Sequence, residues 1–300
     1  MSYDIAIFAL GFEARGTNLV AEVLKDATKA AAIGFNHGRD KAYDSNREFF
    51  LKSGVKIFDS IDDAKFESIL AQILEHLDDG VARSVFVDIS CFSRVRLATI
   101  VYVLFSLASK RRSALTVDFA YSLAKFEKPN PERYPNTVVG PAHQAFAGWS
   151  QGGYSSTAAV LGLGYEQDQA LGVVEYLQAG EVWAFSPNSP INEYKPEVKR
   201  ANDLLLSEIP PRQVIEYDVC APASIVATLE SVVRGLGNDH SVVLVPFGPK
   251  IFVLCSLIVA AMRRDVAVWR VSQGSHISPQ DRYASEEAFG LRLFFGASQQ

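Results

Sequence analysis

Three short segments in the first half of the chain gather the residue types that handle phosphates and hydroxyl groups. Gly11-Phe12-Glu13-Ala14-Arg15-Gly16 follows the apolar run IAIFAL and opens a helical pattern. The amides at a helix start favour anions. Two readings stand side by side. Glu13 accepts from a ribose or base edge while Arg15 holds a phosphate, or Glu13 caps the helix and Arg15 pairs with a neighbouring acid. Asn36-His37-Gly38-Arg39 follows a second apolar run and has turn composition, so His37 and Arg39 face a ligand or are solvated loop. Asp88-Ile89-Ser90-Cys91-Phe92-Ser93-Arg94 places a carboxylate, two hydroxyls and a cation around one strand-to-helix turn. Ser90 and Ser93 could cradle a phosphate there, with Arg94 as its bidentate partner. A cation in the first helical turn opposes the helix dipole, which points to an anion nearby.

The second half repeats part of this inventory. Gly164-Tyr165-Glu166 follows the run AAVLGL, and Phe247-Gly248-Pro249-Lys250 follows SVVLVP. The candidate ligand-binding residues are therefore Gly11, Phe12, Glu13, Arg15, Asp88, Ser90, Ser93, Arg94, Gly164, Glu166, Gly248 and Lys250. If the chain is catalytic, Glu13 or Asp88 is the general base, which for a carboxylate requires a raised pKa. Aromatic residues at strand ends (Phe12, Phe92, Tyr121, Tyr165, Phe247) could stack on a base or line the core edge.

Several chemistries lack their pattern. Gly11 does not begin a GxGxxG phosphate loop. Cys91 and Arg94 stand too close together for the Cys-to-Arg loop of a cysteine phosphatase, and no GxSxG elbow occurs. The three cysteines are far apart and form no CxxC pair, and no HExxH is present, so no structural or catalytic metal is expected. A magnesium ion shared by Asp88 and Asp118 is the one cation reading, and it rests on both ending adjacent strands.

The elements that position these groups alternate from end to end. Strands are expected at 5–10, 30–35, 55–58, 84–89 and 115–121, with helices at 16–27, 43–53, 62–78 and 94–109 between them. After a Pro/Gly-rich stretch the rhythm restarts, with strands at 158–163, 181–186, 213–218, 241–247 and 266–272. Helices are expected at 166–178, 196–207, 222–235 and 249–263, and a last strand at 290–295. Such alternation marks βαβ units on a parallel sheet. The fold class is α/β, with two tandem Rossmann-like parallel-sheet domains related by internal duplication. Their expected extents are 1–125 and 155–300, with 126–154 as a linker that carries a possible hairpin near 136–146. In such sheets ligands sit at the carboxyl ends of the strands.

Composition agrees with this architecture. The 300 residues are 48% hydrophobic and 21% charged, with a net charge of −5, which is globular and does not favour duplex nucleic acid. The longest apolar runs, 95–108 and 251–262, fall short of a membrane span. With no secretory signal legible, a cytoplasmic setting and no membrane partner are expected.

The two strand-four turns resemble those of the CRISPR-associated Rossmann-fold (CARF) family. That family carries a T-G-G-T-K-like turn followed by a small-residue-rich helix. Here Val245-Pro246-Phe247-Gly248-Pro249-Lys250-Ile251 leads to a helix with Ala260 and Ala261, and Asp88–Arg94 is similar more loosely. The paired glycines of the family turn are one in the second half and none in the first. The SAVED domains of bacterial anti-phage systems are similar to two such units in one chain. The resemblance implies a sensor of a nucleotide or cyclic oligonucleotide, with a homo-oligomeric or separately encoded effector partner. The alternatives are a nucleotide-processing hydrolase or transferase with its site between the domains, and a non-catalytic assembly subunit.

Overall fold

A computed structural model of the chain describes residues 2–77, 79–129, 138–148, 156–272 and 280–297. The strands in chain order are β1 (Ile5–Leu10), β2 (Ala30–Phe35), β3 (Lys56–Ile61), β4 (Arg83–Asp88), β5 (Leu115–Ala124) and β6 (Val138–Pro141). They continue with β7 (Thr157–Gly162), β8 (Glu181–Asn188), β9 (Val214–Asp218), β10 (Ser241–Pro246), β11 (Ala267–Ser272) and β12 (Ala284–Phe295). The helices are α1 (Val20–Val23), α2 (Tyr43–Lys52), α3 (Asp63–Leu74), α4 (Arg94–Lys110), α5 (Gln169–Leu177), α6 (Tyr194–Ala201), α7 (Asp203–Glu208), α8 (Pro222–Leu236) and α9 (Lys250–Met262).

The chain forms two compact units, Met1–Lys125 with Ser278–Gln300, and Phe126–Ile277. Each holds a six-stranded, mostly parallel sheet. The first has the order β12-β5-β4-β1-β2-β3 and the second β6-β11-β10-β7-β8-β9. In both, the first strand lies beside the fourth, with Ile7 opposite Val87 and Val243 opposite Ala159. In both, one antiparallel strand closes the edge beside the fifth.

Each sheet has helices on both faces, as right-handed crossovers require. In the first unit Ala6, Phe8 and Leu10 of β1 pack with Val20, Val23, Tyr43 and Phe50. The alternate residues Ile5 and Ile7, also buried, belong to the opposite face. In the second unit Leu161, Val243 and Val245 pack with Ala170, Val173, Val198 and Leu205. Every residue of α9 from Ile251 to Ala260 is buried, which accounts for its apolar sequence on all sides.

Four expectations are corrected. The tail does not belong to the second domain, because β12 pairs along β5 of the first sheet. The stretch 126–154 is not a free linker with its own hairpin, because β6 lies antiparallel on β11 of the second unit; its residues 130–137 and 149–154 fall outside the described residues. The helix expected at 16–27 is a 3-10 turn (Ala14–Thr17) followed by the single turn α1. Gly16, Thr17 and Asn18 propagate a helix poorly, and Arg15 is tied down to β5. The helix expected at 196–207 breaks into α6 and α7 at Asn202, whose side chain is engaged elsewhere.

Candidate functional site

The order of strands reverses between β1 and β4 in the first sheet and between β7 and β10 in the second, the strands themselves running parallel. These are the switch points at which open α/β sheets take ligands. Of the residues singled out in the sequence, those of each half, Asp118 excepted, come to the carboxyl edge of that half's own sheet.

In the first unit, the edge is tied up by its own polar groups. Glu13 accepts from Arg15 Nε through Oε2 at 2.6 Å. The Arg15 side chain is buried, donates from Nη1 to the carbonyl of Ser122 at 3.0 Å, and lies 5.6 Å from the Tyr121 ring centre. Burial works against its charged form, but Tyr121, Glu13 and Cys91 outweigh it and hold the guanidinium proton more tightly than usual. Arg15 is thus an internal cation paired with Glu13. The amides opening the 3-10 turn are also used: Ala14 N–H donates to Asp281 Oδ1 at 2.7 Å and Arg15 N–H to the carbonyl of Arg282 at 3.0 Å.

The β4 turn is similar. Asp88 is buried and accepts from the Ser90 amide at 2.8 Å. Ser90 Oγ accepts from the Ser122 amide at 2.8 Å, locking β4 to β5. Ser93 caps α4 by accepting from the Arg96 amide at 3.2 Å. Arg94 is the first residue of α4 and is half-buried. Phe12 packs against the Gly38 turn. His37 and Arg39 are in contact with Asn36 and with Ser60 and Asp59 respectively. Asp118 does not end its strand beside Asp88. It lies mid-β5 opposite Phe86, and Asp88 faces Ala120 instead. Its carboxylate takes both guanidinium arms of Arg292 at 2.7 Å and the Tyr3 hydroxyl at 2.8 Å, which removes the basis for a magnesium ion shared with Asp88. Among the described residues no group of three or more His, Cys, Asp or Glu side chains could hold a metal.

The second unit is built alike but is less self-satisfied. Gly164 and Glu166 follow β7, and Gly248 and Lys250 follow β10. The amides of Phe247 and Gly248 both donate to the carbonyl of Gly162, at 2.8 and 3.0 Å. The Gly248 amide is therefore committed to the sheet. Lys250 opens α9 directly after Pro249, which takes the N-cap. Glu166 Oε2 is buried and meets no hydrogen-bond donor among the described residues. It lies over the Cα of Gly164, where a Cβ would come within 2.2 Å of it and within 3.0 Å of the Phe247 carbonyl oxygen. Only glycine lets the carboxylate lie there. Tyr165 stacks on Tyr194 with ring centres 5.9 Å apart, and Phe126 meets Tyr194 edge-on at 5.2 Å.

Two sets of residues were not singled out from the sequence. Asn46 of α2 donates to the carbonyls of Gly11 and Glu13 at 3.0 and 2.8 Å. Asn202, between α6 and α7, donates to the carbonyls of Gly164 and Val198, each at 2.7 Å. A buried carboxamide thus clamps the glycine carbonyl of the Gly-aromatic-Glu loop in both units. The legible signal was an Asn on the second helix of each half. The other set is Arg96 and Arg111, both buried. The Arg96 guanidinium lies 3.7 Å from the Phe35 ring centre and 4.8 Å from that of Phe66. It donates to Asp63 at 2.7 Å and to the carbonyls of Gly34 and Ile61 at 3.1 and 2.5 Å. An arginine inside an otherwise apolar helical run was the signal for it.

No protein-family model matches the chain, and no curated protein does. In structure it is similar to the cytoplasmic domain of a prokaryotic cation chloride cotransporter. Identity is 12%, the match covers 92% of this chain and 98% of that one, and the TM-score is 0.27. At that score the likeness carries no functional weight. No helix among the described residues is long and apolar enough to cross a membrane.

Proposed function

We propose that the chain binds a small phosphorylated ligand of the nucleotide class at the carboxyl edge of its second sheet, as a sensor or regulatory component. The observation that carries this reading is Glu166 Oε2, a buried carboxylate oxygen that meets no donor among the described residues. Leaving such an acceptor unpaired costs roughly 1–3 kcal/mol. A ligand hydroxyl or exocyclic amine would remove that cost. At the equivalent position of the first unit, Glu13 has its donor in Arg15, and Asp168 stands where the second half would carry that arginine. The first edge then serves as a closed, structural counterpart and the second as the binding edge. Lys250, in the first turn of α9, is the candidate phosphate partner, and Tyr165 the candidate base-stacking group. The likeness of the Gly248–Lys250 turn to CARF and SAVED domains suits a sensor of cyclic or linear oligonucleotides, as in anti-phage defence.

The matching strand orders and the paired Asn clamps also support an origin by internal duplication.

Thermal shift and calorimetric titration of the purified chain with AMP, ATP and cyclic di- and tri-adenylate test the binding reading. At least one probe is expected to stabilise the protein. Glu166→Gln is expected to weaken that probe's binding about 10-fold, the loss of one charge-assisted hydrogen bond. Absence of any shift across the panel, or unchanged affinity in both Glu166→Gln and Lys250→Ala, would overturn it.

A further inference from the structure

The starts of three neighbouring strands of the second sheet bring a serine, a histidine and a carboxylate into mutual contact. Ser156 directly precedes β7, His240 directly precedes β10, and Glu181 is the first residue of β8. These strands run parallel, with Thr157 opposite Ser241 and Ala158 opposite Glu181. The three side chains therefore meet at the amino edge of the sheet, opposite to the edge that carries Glu166 and Lys250.

The backbone fixes each of them. Ser241 N–H donates to the Ser156 carbonyl at 3.1 Å, and Gly180 N–H to the Thr157 carbonyl at 2.9 Å. His240 N–H donates to the carbonyl of Leu236, the last residue of α8, at 3.0 Å. Ser156 Oγ then lies 2.6 Å from His240 Nδ1, and His240 Nε2 lies 3.3 Å from Glu181 Oε2. The other carboxylate oxygen of Glu181 accepts from Trp183 Nε1 at 2.8 Å and from Gln213 Nε2 at 3.1 Å. A carboxylate has no proton to give, so the imidazole proton belongs on Nε2, facing Glu181. Nδ1 is left with its lone pair toward the Ser156 hydroxyl, which donates to it. A hydroxyl held by a base that a third group orients is the arrangement that activates a nucleophile. The His240 and Glu181 side chains are 19% and 30% exposed, so the cluster is open to a ligand. The first sheet closes the corresponding edge differently: Arg83 pairs there with Asp4 at 2.8 Å, a contact with no base in it.

We propose that Ser156, His240 and Glu181 form a nucleophilic site that cleaves carboxylic esters, separate from the ligand edge. Ser156 Oγ attacks the ester carbonyl carbon while its proton passes to His240 Nδ1. The bond to the leaving alcohol breaks, the alcohol takes that proton, and an acyl-serine remains. Water, deprotonated by the same nitrogen, then releases the acid and restores Ser156. Glu181 is the positioning residue, holding the imidazole and stabilising its charge. Esters are the class that suits the site, because an alcohol leaves more readily than an amine.

A fluorophosphonate probe and p-nitrophenyl acetate test this on the full chain. The probe is expected to add one phosphonyl group, with loss of fluoride, on the peptide that carries Ser156. The acetate is expected to be turned over. Ser156→Ala is expected to abolish both reactions. His240→Gln is expected to slow labelling about 100-fold or more with circular dichroism unchanged. Glu181→Gln is expected to slow it less, and Glu181→Asp to restore part of that loss. Should His240→Gln not fold, loss of wild-type labelling in urea supplies the same control. A wild-type chain that takes no label at Ser156 would overturn the proposal. So would labelling at an unchanged rate in folded His240→Gln or in urea.

Discussion

Arg96 is the residue whose removal tests the packing argument most directly. Its guanidinium is buried between Phe35 and Phe66, and it is the donor to two backbone carbonyls, those of Gly34 and Ile61. Arg96→Ala leaves both without that donor, at roughly 1–3 kcal/mol each. It also forfeits about 1 kcal/mol of cation–π attraction. The Asp63 pair adds little, because that carboxylate is 42% exposed and solvent takes over from the lost partner. The expected loss is about 4 kcal/mol, carried by the first unit. Arg96→Lys is expected to recover less than half, because one ammonium cannot reproduce a fork aimed at three acceptors. Native-state hydrogen exchange read on peptides from α4 and β2 measures this locally. Trp149, Trp183 and Trp269 all lie in the second unit's segment, so their fluorescence is an internal control. A loss below about 1 kcal/mol, or full recovery by lysine, would show that the guanidinium is not holding β2, β3 and α4 together.

The Asn clamps should behave as a matched pair. Asn46→Ala and Asn202→Ala each leave two buried carbonyls short of a donor and are expected to cost roughly 1–3 kcal/mol, read by urea denaturation; a smaller effect at Asn202 alone would indicate that the second loop holds itself. Asp118 carries a pH signature. Burial favours its neutral form, but the hydrogen bonds from Arg292 and Tyr3 outweigh burial and hold its pKa below the ordinary value of 3.8. Its contribution to stability is therefore fully present above the unfolded value and is lost as pH falls through the lowered folded value. Amide exchange along β12 should accelerate in that acid range, and Asp118→Asn should remove the dependence; an unchanged profile in the variant would assign the transition to another group.

Much of the local structure was legible. The runs IAIFAL and AAAIGF became β1 and β2 with the expected ends, because buried parallel strands are written as continuous apolar segments between turn residues. The helices expected from 94 and 222 do begin at Arg94 and Pro222, where Ser93, read in the sequence as a phosphate-cradling hydroxyl, is the N-cap of α4 and Pro222 opens α8. What escaped was non-local. Nothing in the residues of β12 says which sheet it joins, since an amphipathic edge strand fits either one. At the first candidate site, Glu13 and Arg15 were readable as a ligand pair, or as a helix cap and a cation paired with a neighbouring acid; Glu13 makes no side-chain capping bond and is itself the acid that Arg15 pairs with. The choice depended on Tyr121 and Ser122, which are distant in sequence and brought alongside by the fold. Arg94 and Arg96 look alike in the sequence, and it is the packing of Phe35 and Phe66 around the Arg96 guanidinium that sets the latter apart.

The route of the chain through its two sheets has a consequence for synthesis. After five strands of the first sheet the chain supplies β6 to the second, and after five strands of the second it returns to supply β12 to the first. A ribosome delivers these segments in order, N-terminal first. The first sheet therefore emerges with the edge of β5 open and the Asp118 carboxylate without Arg292, and stays so while the entire second unit is made. The N-terminal unit is the last to be completed. Until then its exposed strand edge needs shelter from other nascent chains, and the second unit can finish folding before the first.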